Sequence, residues 1–301
     1  MLRRYELHNH TTHSDASITC RELLEVMRED QVQVVALTDH NTISGHRELR
    51  ELLPAFPGLQ AVFGMEYTTY YGHILCLNLT RYVPWDRIDR NCPEKLFAAC
   101  RAAGALTGIA HPFSYGAPFA RGCRFDMHVR DFRDVDFIEV FNNPEPLREV
   151  NIPALEWWED LTLQGEHLAA TGGMDLHGHR DMSMMFATYL EGDAAHDPGE
   201  DLARAVRGRR TWVSRGMALL WTPEGDGFRF RLEDLHKPGF RPASLYLLTI
   251  RSQAGQITRP LEGDTLYLPL SDLPPGPVRV LRLYRKNTDA ENLICVCPPM
   301  T

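Results

Sequence analysis

Six histidines and three carboxylates of this 301-residue chain stand at or beside the edges of short apolar runs, a placement suited to holding metal ions. The first run, RYELH, leads into His8-Asn9-His10. In an extended chain residues two apart face the same side, so both imidazoles can reach one ion. That pair alone is a weak signal, but it recurs. Later runs end in Thr38-Asp39-His40, Gly64-Met65-Glu66, Ile109-Ala110-His111 and Met174-Asp175-Leu176-His177, and another opens at His73. A lone histidine at a strand end is usually a satisfied packing residue, yet that account must be repeated at every one of these edges. Asp15, in the loop THSD after the first run, completes a set of nine; on its own it reads equally as a turn or cap residue ahead of Thr19. His13, His46, His128, His167, His196 and His236 lack such placement and are read as surface or packing residues, whereas His179, two residues past His177, is placed to touch substrate.

The elements that must position these groups follow from the same runs. Strands are predicted over Arg4–His8, Val32–Thr38, Leu59–Glu66, His73–Leu79, Leu106–His111, Val135–Phe141 and Leu168–Asp175. Helices are predicted after Thr19, after Ser44, and from Pro93 to a stop at Gly104. Continuous apolar strands separated by helices imply a parallel sheet buried on both faces, either a barrel or a doubly wound sheet. In both, binding groups gather beyond the carboxyl ends of the strands. After about residue 215 the texture becomes short alternating strands, SLYLLTIRS, DTLYLPL, VRVLRLYR and NLICVC, between Pro- and Gly-rich turns. A barrel-type domain over 1–215 and a small all-β module over 216–301 are therefore expected, the latter as packing or oligomerisation element.

With these motifs set out, the sequence resembles the polymerase and histidinol phosphatase (PHP) superfamily, whose HxHxxxxSD, TDH, GxE, HP and DxH motifs stand here as HNHTTHSD, LTDHN, FGMEYT, IAHPF and GGMDLH. Within it, TDHNTISGH, GMEYTTYYGHILCL and RGRRTWVSRG with a β-rich tail are most similar to the CehA/McbA group of metallohydrolases. The resemblance implies an α/β fold, a distorted (β/α)7 barrel, and two or three divalent metal ions. It implies one ion held by His8, His10, Glu66 and Asp175, a second held by the bridging Glu66 with His73 and His111, and a third held by Asp15, His40 and His177. Imidazole with carboxylate suits Zn, Mn or Fe, whereas Mg favours oxygen ligands and water.

Composition narrows the partners. A net charge of -8 and a pI near 5.9 argue against a general nucleic-acid or anionic-membrane surface, and no run approaches a membrane span. A small anionic substrate and a cytoplasmic location are expected. The cysteines, Cys20, Cys76, Cys92, Cys100, Cys123, Cys295 and Cys297, are scattered and form neither a disulfide framework nor a CxxC zinc site. No GxSxG, Walker loop or GxGxxG is present, so hydrolysis by a metal-activated hydroxide is the expected chemistry. Glu66 is expected to bridge ions, and Asp175 or His177 to pass a proton to the leaving group. Arg180, Arg121 and Arg124 are candidates for binding an anion, and Asn142 and Asn143 for donating to substrate, Asn142 first. A phosphomonoester or phosphodiester is the expected substrate. The alternatives are a carbamate, ester or amide at the same metals, a histidinol phosphatase, and a non-catalytic metal-structured module.

Overall fold

The structure, a computed structural model, describes residues 1–86, 88–116 and 121–301. The predicted apolar runs form β1 (Leu2–Glu6), β2 (Val34–Leu37), β3 (Gln60–Thr69), β4 (Gly72–Leu77), β5 (Leu106–Ile109), β6 (Phe137–Asn142) and β7 (Ala169–Gly173), neighbours in the sheet in that order. Helix α1 (Cys20–Glu29) follows β1, α2 (Gly45–Leu52) follows β2, α3 (Glu94–Ala102) follows β4 and α4 (Ile152–Gln164) follows β6. Thr19 starts α1 through a reciprocal cap: its hydroxyl accepts from the Glu22 amide, and the Glu22 carboxylate accepts from the Thr19 amide at 2.7 Å. Leu23, Leu24 and Met27 then bury one stripe of α1 against Val35 and Leu37 of β2. Ser44 precedes α2 as predicted but makes no side-chain cap.

Strand–helix alternation breaks between β3 and β4. Only Tyr70 and Tyr71 separate the paired residues Thr69 and Gly72, and so short a link permits only an antiparallel return. Strand β4 is antiparallel to β5 as well, whereas β1–β2, β2–β3, β5–β6 and β6–β7 pair in parallel. The reversal has a direct consequence for the site. The start of β4, not its end, lies beside the carboxyl ends of its neighbours, and His73 stands at that start. The two ends of the seven-strand run also meet: Asn9 and Leu176 form an isolated parallel bridge, and the His10 amide donates to the Leu176 carbonyl at 3.0 Å.

Beyond β7 come β8 (Ala187–Glu191), α5 (Pro198–Arg207) and β9 (Thr211–Ser214), which the sequence pattern did not single out as elements. Strand β8 pairs antiparallel with both β1 and β9. The β-rich tail is built from β10 (Met217–Glu224), β11 (Gly227–Asp234), β12 (Leu245–Ser252), β13 (Gly255–Glu262), β14 (Thr265–Pro269), β15 (Val280–Arg285) and β16 (Leu293–Val296). Strand β16 pairs with β9, so β12, β13, β15 and β16 extend the main sheet to 13 strands, while β10, β11 and β14 form a separate three-stranded sheet. Tyr5, Leu7, Val34, Ala36, Val62, Leu75 and Phe137 pack as one apolar core behind the strand ends; Trp212, Phe230, Leu248 and Leu283 belong to a second core under the tail. Among the described residues no helix is long and apolar enough to cross a membrane.

Candidate metal centre

Glu66, inside β3 where it pairs with β4, is fully buried and surrounded by imidazoles. Its Oε1 lies 2.9 Å from both His73 Nδ1 and His111 Nε2, and its Oε2 lies 2.8 Å from His40 Nδ1, 3.3 Å from His8 Nε2 and 3.5 Å from His10 Nε2. Asp175 Oδ1, past the end of β7, approaches His10 Nε2 at 3.0 Å and His8 Nε2 at 3.4 Å. A second convergence lies alongside: His40 Nε2 and His177 Nε2 are 3.4 Å apart and sit 3.5 and 3.3 Å from Asp15 Oδ1. All nine predicted ligands therefore gather at one place, and they do so in overlapping sets. His8, His10, Glu66 and Asp175 form one, His10, Asp15, His40 and His177 another, and His40, Glu66 and His73 a third; His111 joins through Glu66.

Buried polar atoms normally have hydrogen-bond partners. Here His8 Nε2, both ring nitrogens of His10, Glu66 Oε2 and Asp175 Oδ1 are buried and make no hydrogen bond. Buried His46 is the contrast, because its Nε2 pairs with the Gly64 carbonyl at 2.8 Å. Apart from His10 Nδ1, the unpartnered atoms face one another across 3.0–3.5 Å, and imidazole with carboxylate oxygen is a donor set for a divalent transition ion. The residues fit such an ion. His13, Cys20 and Glu48 form a further cluster, but His13 is already satisfied by Ser44 at 2.9 Å and Glu48 at 2.8 Å, and burial pushes the Cys20 thiol up to about 12. That cluster is a packing feature.

Electrostatics also register a demand for positive charge. Burial opposes ionising Glu66, but His8, His73, His111 and His40 hold it well below the ordinary carboxylate range. Asp175 is held well below that range in the same way, by His8 and His10 against its burial. Burial opposes protonating His8 and His111, yet Asp175, Glu139 and Glu66 push His8 well above the ordinary imidazole value and Glu66 pushes His111 up to about 9. His10 goes the other way, down to about 4, because burial dominates there. Glu66 and Asp175 thus favour positive charge beside them.

The supporting shell includes a residue that the sequence pattern did not single out. Glu139, mid-strand in β6, accepts from His8 Nδ1 at 3.0 Å and from the His111 amide at 3.0 Å. Its signal was an acid inside the apolar run FIEVF, at a position that is buried. Gly173 makes room for it, since a Cβ there would lie 2.6 Å from both Glu139 Oε1 and His8 Cβ. Asp39 shapes the first loop, accepting from the Thr11 amide and from the Thr11 and Ser14 hydroxyls at 2.7–2.9 Å. His111 and Asp175 both adopt positive φ, 25° and 46°, so two candidate ligands sit in strained backbone.

A cleft of about 1050 Å³ opens over this centre, lined by Asp15, His40, His111, His177, His179 and Arg180 among others. Arg180 and His179 are therefore at the mouth. Arg124 is not: its guanidinium stacks over Phe113 at 5.7 Å and lines an adjoining aromatic cavity of about 550 Å³ with Phe125 and Trp157. The side chain of Arg121 lies outside the described residues. Asn142 faces a candidate ligand of the centre, its amide donating to Asp175 Oδ2 at 3.0 Å, and Asn143 ties β7 to the chain before β8 through Gly173 and Phe186.

The PHP domain family matches residues 6–106. An uncharacterised protein of Methanocaldococcus jannaschii is 32% identical over 148 residues, 46% of this chain and 80% of that protein. The 5'-3' exoribonuclease of Haemophilus influenzae is 34% identical over 88 residues, 28% of this chain and 32% of that enzyme, so this chain spans about a third of its length. Among solved structures, a two-domain protein of Bacteroides vulgatus containing a predicted PHP-like metal-dependent phosphoesterase superimposes with a TM-score of 0.57 at 14% identity, covering 100% of this chain and 95% of that one, which shows a shared fold. The chain belongs to the PHP domain family.

Proposed function

We propose that this protein is a metal-dependent hydrolase, acting on a small phosphomonoester or phosphodiester, within the CehA/McbA group of its family. The observation that carries the reading is the set of buried, unpartnered atoms on His8, His10, Glu66 and Asp175, beside which Asp15, His40 and His177 converge as a more exposed cluster. We take His8, His10, Glu66 and Asp175 to hold one ion, Glu66 with His73 and His111 a second, and Asp15, His40 and His177 a third, with Zn, Mn or Fe as the metals. Such ions, when bound, activate water at neutral pH and offset charge on the reacting oxygens.

The chain's own groups do the rest. Glu139 fixes the His8 tautomer by accepting from Nδ1, which leaves Nε2 free to ligate. His177 Nδ1 donates to the Asp175 carbonyl at 2.9 Å, turning its Nε2 toward Asp15. Arg180, exposed on the wall of the cleft, supplies the cation for an anionic substrate in a chain of net charge -8. The test is a substrate panel of aryl phosphate, phosphodiester and carbamate with added Mn or Zn. Phosphate ester cleavage that is lost in Glu66→Gln supports the reading. Cleavage of the carbamate alone moves the reaction to carbon, and no cleavage of any ester overturns it.

A further inference from the structure

Residues 177–185, between β7 and β8, contain no regular helix or strand yet carry His177, His179 and Arg180 to the cleft. A segment of this kind is ordered only where something holds it, because fixing each residue costs conformational entropy. One anchor is at its start: the His177 carbonyl accepts from the Ser17 amide at 2.8 Å and from the Ser17 hydroxyl at 2.9 Å. The other comes from the β-rich tail. Lys237, in the connection between β11 and β12, is only 4% exposed, and its ammonium donates to the main-chain carbonyls of Met182 and Ser183 at 2.5 and 2.8 Å.

A buried ammonium is expensive unless its protons are used, and an apolar side chain would fill the same space without that cost. What an apolar side chain lacks is the power to grip two carbonyls that belong to no helix or sheet. The grip is reinforced sterically. Met182 is buried in the core beneath α1, and Gly239, at φ +78°, passes so close to Ser183 that a Cβ would lie 2.6 Å from the Ser183 Cβ. Arg180 thus hangs in the short span between the Ser17 anchor and the Lys237 anchor, with its side chain exposed to the cleft.

We infer that Lys237 is a positioning residue for substrate binding, through which the β-rich tail sets where Arg180 stands over the metal centre. The inference rests on the proposed role of Arg180 toward an anionic substrate. The experiment compares metal-loaded wild type with Lys237→Met, Arg180→Ala and the double variant, using 4-nitrophenyl phosphate for turnover and inorganic phosphate for binding. Expected are a rise of about tenfold in KM and in the phosphate dissociation constant for Lys237→Met, with kcat within about twofold and metal content unchanged. On the Arg180→Ala background the same substitution should change KM by less than about twofold. Hydrogen exchange across residues 178–184 should quicken about tenfold. Unchanged exchange, loss of metal, or an equal KM effect without Arg180 overturns the inference. Should Lys237→Met not fold, Gly239→Ala perturbs the same anchor and must show the same pattern. If wild type cleaves no phosphate ester, the functional reading fails, while the exchange measurement still decides whether Lys237 holds the segment.

Discussion

Glu139→Gln tests how the buried shell sets the chemistry of the ligands. The carboxylate has two oxygens at work: Oε1 accepts from His8 Nδ1 at 3.0 Å, and Oε2 accepts from the His111 amide at 3.0 Å and from Asn142 Nδ2 at 3.4 Å. Glutamine offers one acceptor and one donor in the same space. If its oxygen faces His8, its NH2 group meets the His111 amide and Asn142, leaving a buried donor unpaired at about 1–3 kcal/mol. If its oxygen faces His111, the NH2 group favours the His8 tautomer with the proton on Nε2, which cannot ligate. Both arrangements weaken the centre without removing a ligand. Losing the partner that orients a metal-binding imidazole lowers metal affinity roughly 10- to 100-fold, about 1.4–2.7 kcal/mol. Competition against a chelator of known affinity, at fixed pH, measures the change for Mn or Zn. A Glu139→Gln variant that folds and binds metal within twofold of wild type would refute the orientation of His8 by Glu139.

Three further outcomes are expected. In the metal-free chain His111 is pushed up to about 9, so its contribution, on the order of 3 kcal/mol, is fully present below about pH 6.5 and lost as pH rises through about 9. Urea unfolding of chelator-treated protein at pH 6.5 and 9.5 should show that decline, and metal-loaded protein should not, because a ligating imidazole is already neutral; a flat metal-free profile contradicts it. Asp15→Ala, whose side chain is 61% exposed, should release metal only from the set with His40 and His177, which metal analysis reads as about one ion fewer per chain. Gly173→Ala places a Cβ 2.6 Å from Glu139 Oε1 and His8 Cβ, so unfolding should show a loss of roughly 1–3 kcal/mol together with weaker metal binding.

Most of the candidate ligands were legible because they sit where the sequence shows an apolar run stopping, and such stops coincide with the site edge of a parallel sheet; Asp15, in a loop, was legible only through the motif. His73 departs from that rule for a reason local pattern hides. An apolar run looks the same in either direction, and only the two-residue link Tyr70-Tyr71 shows that β4 runs backwards. Glu139 was overlooked because it lies inside a strand and acts through His8 and His111. Arg124 lines a neighbouring cavity, with Phe113 5.7 Å from its guanidinium, because chain proximity to His111 does not fix which way a side chain turns. The pairing of β16 with β9, which fuses the tail to the main sheet, and the reach of Lys237 to Met182 are contacts between segments remote in sequence. No composition or period encodes such partners.

The most direct test of the account is anomalous diffraction from crystals grown with Mn or Zn, with data collected on both sides of the metal's absorption edge. An ion about 2.0–2.2 Å from His8 Nε2, His10 Nε2, and the carboxylates of Glu66 and Asp175 is the predicted result. Absence of an anomalous peak among these four residues, with metal present in the crystal, would contradict it.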